Sequence, residues 1–434
     1  MQIPNILPDK KGPLARTRNP LKPLDPKDPS RVIEPGQYNW QTIVKSRTKI
    51  NNKKTSRDEI EHLIGLAEEI FADNQRPCFE ETALISGFPV ILKTNSPHLL
   101  NFWSMNWYLG SSGEVATRSV KPITIRAAIG VKENNELRGT AAYYCPENRE
   151  VVFINTDYYG QCKSWALGAA GVGLSDFKIH SIHGACVQID GKGILIIAPT
   201  GTGKSTYTNQ LARYGLINSD DWVYVKRHAD GRFIAYPSER YIYVRSNSVR
   251  YNPDKGDDLA IVQNEPVMKQ QFEIFERSPA ENVPLINNKR MYNHTPNSRV
   301  MINPAEIAPL IYETPIKVVI LLRRDNDNPY EVELSPDEAV RILEKGEFTI
   351  QPGVTDDPAT WGKLACEAWY NPYLLQPDPE FEKERFKALA EEGGARYVIF
   401  NTSSKFATRA KPNGEPDTDY LIKKTTERIL SYLK

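Results

Sequence analysis

No run of apolar residues in this chain approaches the ~18 that cross a bilayer as a helix. Nothing near its start joins a basic cluster to an apolar stretch as a secretory leader does. The expectation is a protein with neither anchor nor export signal, cytoplasmic by default. Cysteine is sparse and odd in number: Cys78, Cys145, Cys162, Cys186 and Cys366, never spaced C-x-x-C. That excludes a disulfide framework and a cysteine-based zinc site, and leaves reduced thiols that serve mainly as small buried hydrophobes. An excess of either charge is also missing. Lys and Arg number 55 against 54 Asp and Glu, a formal net charge of +1. No global field argues for nucleic acid or an anionic membrane as partner.

What is present is ordinary for a folded chain of 434 residues, with 40% hydrophobic and 25% charged content, enough for two domains. Residues 1–36 hold eight prolines among lysines and arginines and little to bury. They read as an extended arm that packs on its own body or reaches a neighbouring subunit, so a homo-oligomer is left open. Folded structure is expected from about residue 37. Ser56-x-x-Glu59 reads as a capping box ahead of the helical spacing Ile60, Leu63, Ile64, Ala67, Ile70 and Phe71. Strand patterns follow at Ala83–Leu92, Ile123–Val131, Gly139–Tyr144 and Glu150–Asn155. The aromatic group Phe102, Trp103, Trp107 and Tyr108 fits core or interface better than a ligand cage. This gives an α+β lobe over 37–177.

Over 178–434 the pattern is α/β. Ile179–Ile189 and Gly193–Ile197 read as adjacent strands joined by an Asp190–Gly191 turn. The second runs into Ala198-Pro-Thr-Gly-Thr-Gly-Lys-Ser205, and a helix is expected over Thr206–Tyr214. A strand that delivers a glycine loop to a helix N-terminus makes a phosphate cradle. Glycines let backbone N–H groups turn inward, and the helix end adds partial positive charge. Thr200, Gly201, Thr202, Gly203, Lys204, Ser205 and Thr206 are the nucleotide-binding candidates, with Lys204 for the β- and γ-phosphates and the Ser205 hydroxyl for Mg²⁺. Ala198 stands where the usual pattern has its first glycine. A plain glycine turn before a helix is the bland alternative.

Asp220 and Asp221 follow Lys204 by 16 and 17 residues, at the end of the next short strand. An acid there can hold the metal and its neighbour can accept a hydroxyl proton; an acidic turn is the structural alternative. His183 lies 21 residues before Lys204, in the strand expected beside the P-loop strand. Alone it would be a core histidine. Beside a P-loop and paired acids it becomes a candidate for catalysis or metal ligation, ahead of His180. Later elements are a strand at Lys317–Leu322, a helix capped by Ser335-x-x-Glu338, a strand at Arg396–Phe400 and a closing helix over Asp419–Leu433. Gly346–Asp357 is the lid candidate, and polar Asn247–Tyr292 could cover an acceptor or form a subunit contact.

From about 150 onward these landmarks resemble the P-loop phosphoenolpyruvate carboxykinases and their relatives, the HPr kinase/phosphorylases. Thr156-Asp-Tyr-Tyr-Gly-Gln-Cys-Lys-Ser164 is similar to the carboxykinase segment that supplies a substrate-binding tyrosine and two lysines. The match implies that Tyr158 and Lys163 bind substrate and places Ser164 where the second lysine, a metal ligand, would stand. It also implies that His183 is the metal-binding or catalytic histidine, that Asp220 and Asp221 are the paired acids, and that Arg299, in Ser298-Arg-Val300, contacts the transferred phosphate. Tyr236-Pro-Ser-Glu-Arg-Tyr-Ile-Tyr-Val-Arg245 replaces the carboxykinase Glu-Gly-Gly segment, and Glu239–Arg240 looks more like a kinase-type insert on the substrate side.

The resemblance implies a two-lobed carboxykinase-like fold with nucleotide, metal and acceptor between the lobes. The function expected is an ATP- and Mg²⁺- or Mn²⁺-dependent phosphotransferase acting on a hydroxyl of a small metabolite or a protein serine, with another nucleoside triphosphate as alternative donor. Two other readings stay open. One is a true carboxykinase converting oxaloacetate and ATP to phosphoenolpyruvate, CO₂ and ADP; the other is a non-catalytic nucleotide-binding regulator.

Overall fold

The computed structural model describes residues 51–54, 56–74, 77–107, 120–132, 141–145, 148–156, 159–240, 242–245, 299–302, 308–351, 358–375 and 378–434. The expected arm 1–36, the segment Asn247–Tyr292 and residues 352–357 of the lid candidate lie outside them. The chain is mixed α/β and divides into two compact units. One takes the chain up to Phe177 together with Glu239–Glu306, and the other Lys178–Ser238 with Ile307–Lys434. The lobe expected as a continuous 178–434 is thus interrupted. The Glu239 carboxylate is tied to Lys163 and Asn106, and the Arg240 N–H donates to the Asn106 carbonyl, which draws this stretch into the first unit.

In the first unit a six-stranded mixed sheet runs in the order β1-β5-β6-β4-β3-β2. The strands are β1 (Asn51–Lys54), β2 (Phe79–Ile85), β3 (Phe88–Thr94), β4 (Ile123–Ala128), β5 (Ala141–Cys145) and β6 (Glu150–Ile154). The single strand expected over Ala83–Leu92 is a hairpin, β2–β3. Ser86 and Gly87 both take positive φ (48° and 86°), the two-residue turn that matches the twist of paired strands. Helix α1 (Arg57–Phe71) is capped by the Ser56 hydroxyl, which accepts from the Glu59 N–H. Its apolar stripe, Ile60, Leu63, Ala67 and Phe71, packs with Tyr143, Cys145, Val152 and Ile154.

The alternate residues Tyr144 and Phe153 point to the opposite face and meet Trp165 edge-on, at 6.4 and 5.7 Å between ring centroids. Trp165 belongs to α3 (Tyr159–Ser175), a helix buried along nearly its whole length. Gly173 lets it approach β3, since a methyl there would fall 2.2 Å from the Phe88 ring. Trp103 and Trp107 of the α2 region (helix Pro97–Asn106) are fully buried, edge to face at 5.6 Å, as expected of core. A separate ribbon pairs β13 (Ile242–Arg245) with β14 (Arg299–Ile302).

The second unit is built on a nine-stranded mixed sheet. At its centre three strands run parallel: β9 (Lys192–Ile197), β15 (Thr314–Arg323) and β19 (Arg396–Asn401). Their apolar runs suit burial on both faces. Leu195, Ile197, Val319, Leu321 and Ile399 face the helices α5 (Pro336–Lys345) and α6 (Pro379–Glu391). Ile194, Ile196, Val318, Ile320 and Phe400 face α4 (Lys204–Ala212) and α7 (Thr418–Ser431). The register sets Ile197 beside Leu321 and Arg323 beside Asn401, so the carboxyl ends of the three strands lie together. In open α/β sheets that edge is where ligands bind.

The strand expected over Ile179–Ile189 is two. β7 (His180–Ile182) pairs with β11 (Val223–Arg227), while β8 (Gly184–Ile189) pairs with β9 and with β10 (Leu216–Ser219). The break falls at His183. β12 (Phe233–Pro237) links β11 to β15, β16 (Glu331–Leu334) borders β19, and β17 (Glu347–Thr349) and β18 (Leu364–Cys366) form a small hairpin. Among the described residues no helix is long and apolar enough to cross a membrane.

Candidate functional site

The glycine loop, residues 198–203, connects β9 to α4 at the shared carboxyl edge. Ala198, in place of a glycine, is fully buried in the core under α4. Gly201 (φ 86°) and Gly203 (φ 111°) both take left-handed conformations, and Gly203 serves as N-cap without any side-chain cap. The first N–H groups of α4 are therefore left to an outside acceptor. Thr202 is buried as a clasp: its hydroxyl donates to the Pro199 carbonyl at 2.7 Å, and its own carbonyl accepts from the Thr402 hydroxyl at 2.7 Å. Thr200, Gly201, Ser205 and Thr206 are exposed along the loop and the first turn of the helix. The helix begins at Lys204, two residues before the expected start, because glycine at the N-cap already supplies the turn.

Lys204 is the hub. Its ammonium donates to the Asp221 carboxylate at 2.6 Å, to the Asp221 carbonyl at 3.2 Å and to His183 Nε2 at 3.0 Å. His183 is buried, and its Nδ1 lies 2.6 Å from the Tyr370 carbonyl. A carbonyl can only accept, so Nδ1 carries a proton. Nε2 then faces Lys204 with a lone pair, 3.3 Å from the Asp221 carboxylate. Paired strands set this geometry. β7 ends one residue before His183 and β11 starts two residues after Asp221, and Ile182 pairs with Val223. Trp222 packs its ring 5.5 Å from the His183 ring and is pinned by its indole N–H to Ser181 and by its carbonyl to Ser219 and Ser238. Asp220, at the end of β10, is buried.

The element that holds His183 was not legible in the sequence. Trp369 and Tyr370 both adopt positive φ (62° and 50°), a strained state for two successive aromatic residues. Trp369 lies stacked on Phe386 of α6, with centroids 5.5 Å apart and planes 12° apart. The Tyr370 hydroxyl donates to the Glu347 carbonyl at 3.1 Å. Three residues earlier, burial pushes the Glu367 carboxyl above the usual carboxylate range, and the nearby His183 and Lys204 pull it partly back. Glu367 therefore belongs to the same electrostatic cluster, and no motif marks it.

His180, the weaker candidate, is buried three residues earlier, at the start of β7. It bonds the Glu382 carboxylate of α6 at 2.6 Å and meets the Phe386 ring at 4.4 Å, a role in holding β7 to α6.

The remaining candidates belong to the first unit. Lys163 and Glu239 form a buried ion pair at 2.9 Å, and Asn106 donates to the same carboxylate at 3.2 Å. Arg240 is buried beside them in sequence, with its N–H on the Asn106 carbonyl. Ser164 turns its hydroxyl back onto the Gly160 carbonyl at 2.9 Å. Arg299 opens β14 opposite Arg245, and its side chain lies outside the described residues, as does Tyr158 entirely. Burial lifts the Cys162 thiol to about 12 and raises Cys186 further, which keeps both as inert hydrophobes.

Among the described residues no group of three or more His, Cys, Asp or Glu is arranged to hold a metal ion. Of the expected metal ligands, Asp221 and His183 lie together, with 3.3 Å between the carboxylate and Nε2. No protein-family model matches the chain, and no curated protein matches it at a significant level.

Proposed function

We propose that the second unit is a nucleoside-triphosphate-dependent phosphotransferase, with the carboxykinase-like fold its landmarks resemble. The observation that carries the proposal is the Lys204–Asp221–His183 cluster on a left-handed glycine loop at the carboxyl edge of parallel strands. A structural glycine turn has no need to gather a cation, an acid and a tautomer-fixed imidazole.

The loop N–H groups and the start of α4 fit the phosphates of ATP or a similar triphosphate. The Ser205 hydroxyl and an acid of the Asp220–Asp221 pair fit Mg²⁺ or Mn²⁺, which takes few protein ligands and completes its shell with phosphate oxygens and water. When bound, the metal neutralises charge on the phosphates. Lys204, now satisfied by Asp221 and His183, moves its hydrogen bonds to the phosphates. That frees the Asp221 carboxylate or His183 Nε2 to take the proton of an acceptor hydroxyl as its oxygen attacks the γ-phosphorus, while the bond from that phosphorus to the β–γ bridging oxygen breaks and the nucleoside diphosphate leaves. The carboxykinase alternative draws less support, since Lys163 is already committed to Glu239 and Ser164 to its own helix.

The test is transfer from labelled ATP with Mg²⁺ or Mn²⁺ to a panel of hydroxyl acceptors, alongside phosphoenolpyruvate formation from oxaloacetate and with Lys204→Ala as control. Turnover lost in Lys204→Ala is expected. Turnover equal in the variant, or a wild-type protein that binds no nucleotide, refutes the proposal.

A further inference from the structure

At the end of β15, at the level of the P-loop, stand two arginines, Arg323 as its last residue and Arg324 just beyond it. Arg323 has Asp325 beside it to offset its charge. Arg324 differs. Its side chain turns to the loop, with Nε donating to the Thr402 hydroxyl at 3.1 Å and Nη2 to the Thr202 carbonyl at 3.4 Å. A methyl built on Gly203 would lie 3.8 Å from Nη2, so the guanidinium rests against the second left-handed glycine of the cradle. Among the described residues no carboxylate pairs with it. Burial pulls its pKa below the ordinary arginine value, countered only by the Tyr207 phenol. A half-buried guanidinium whose partners are a hydroxyl and a carbonyl, both neutral, is a charge without its counter-charge.

Bracing the loop does not account for the charge. The Thr402 hydroxyl already bonds the Thr202 carbonyl at 2.7 Å and reaches the Arg323 carbonyl at 3.2 Å, so β19 is tied to the loop without any cation. A neutral donor would serve as well as arginine for such a tie, at lower desolvation cost.

We propose that Arg324 is an anion-reading residue of the nucleotide site, its guanidinium contacting phosphate oxygens of the polyphosphate held by the P-loop. The planar fork suits two oxygens at once. It gives the second unit, from its own residues, the arginine for which the sequence offered only Arg299. The inference rests on the phosphotransferase reading for its ligand, and the experiment separates the two.

Inorganic tripolyphosphate and ATP are titrated calorimetrically into full-length wild type, Arg324→Gln, Arg324→Lys, Thr402→Val and Lys204→Ala, with melting curves to check folding. Loss of a charge-assisted bond predicts roughly 10- to 100-fold weaker binding of both ligands by Arg324→Gln. Arg324→Lys, which keeps the charge and loses the fork, is expected between it and wild type, and carries the comparison if the Gln variant does not fold. Thr402→Val is expected within about threefold of wild type, the spread of a neutral contact. Wild-type affinity in Arg324→Gln and Arg324→Lys, with binding lost in Lys204→Ala, overturns the role of Arg324 and leaves the P-loop reading intact. Equal losses in Thr402→Val and Arg324→Gln make the residue a brace and also overturn it. A wild type that binds neither ligand removes the P-loop reading and this one together.

Discussion

Gly346→Ala is the sharpest perturbation that the second unit offers. Gly346 closes α5 in the left-handed conformation (φ 57°, ψ 30°), and its N–H returns to the Ile342 carbonyl at 2.9 Å. A methyl at this position would lie 1.7 Å from the Glu367 carbonyl oxygen, 2.2 Å from its carbon and 2.8 Å from the Ala368 nitrogen. All three are backbone atoms, so no rotamer change relieves the clash. The peptide that must move leads into the strained Trp369–Tyr370 pair whose carbonyl holds His183 Nδ1. Left-handed backbone costs a non-glycine residue about 1–2 kcal/mol, and forcing a methyl into a filled site adds about 1–3 kcal/mol. The expected loss is about 2–5 kcal/mol, roughly 5–15 °C in the melting of a unit this size. Gly394→Ala is the control. It too takes positive φ (68°) in the same unit, with nothing within 4 Å of the added methyl, so only the backbone cost of about 1–2 kcal/mol applies. Urea and thermal unfolding followed by tryptophan fluorescence compare the two. If both variants lose the same stability, the contact between Gly346 and the Glu367 peptide is not as described and its link to His183 falls with it.

Asp221→Asn removes the 2.6 Å ionic partner of Lys204. Transfer from ATP is expected to fall by about 100-fold or more with the fold intact by circular dichroism; turnover near wild type would exclude Asp221 from the chemistry. Lys163→Met strands the buried Glu239 carboxylate and should cost about 3–5 kcal/mol, while Lys163→Met with Glu239→Leu should recover most of it. Additive losses in chemical denaturation would refute that pairing. Glu331 accepts from Arg428 and Tyr432, and the Arg428 hydrogen bond foremost holds its carboxyl below the ordinary range. The folded state then binds that proton less readily than the unfolded one. The stabilisation is complete above the unfolded carboxylate value of ~4.3 and is lost as pH falls through the lower folded value. Glu331→Gln should flatten the loss of stability over that acid window, and an unchanged pH dependence of unfolding would contradict it.

The core of the second unit could be read in advance because its signals are local. Asp190–Gly191 makes its hairpin with both residues at positive φ, and Ser335-x-x-Glu338 forms the full reciprocal cap. Lys204, Asp221 and His183 were legible as types at suggestive spacings, and the paired β7 and β11 bring them together. Other features left no local trace. α3 is buried nearly all round, polar residues such as Lys163 included, so it has no stripe for periodicity to find. A break at His183 inside an unbroken apolar run depends on which strands each half pairs with. Trp369–Tyr370 violates the preference of its own residues for negative φ, and tertiary contacts with Phe386, Glu347 and His183 sustain that state. Arg324 was passed over because the proposal for it turns on the lack of a carboxylate partner among the described residues, which a sequence cannot display.

The path of the chain through the second unit bears on how the protein is made. β8 covers one edge of β9 as soon as both are made, yet the strand that covers the other edge, β15, starts only at Thr314, after a long passage through the other unit. The clasp on the Thr202 carbonyl comes later still, from Thr402. A nascent chain paused anywhere between carries the glycine loop without its tie to Thr402, and one edge of β9 open to whatever strand comes near. Synthesis of this protein therefore has a vulnerable interval set by topology, which closes only when the last strand of the sheet is added.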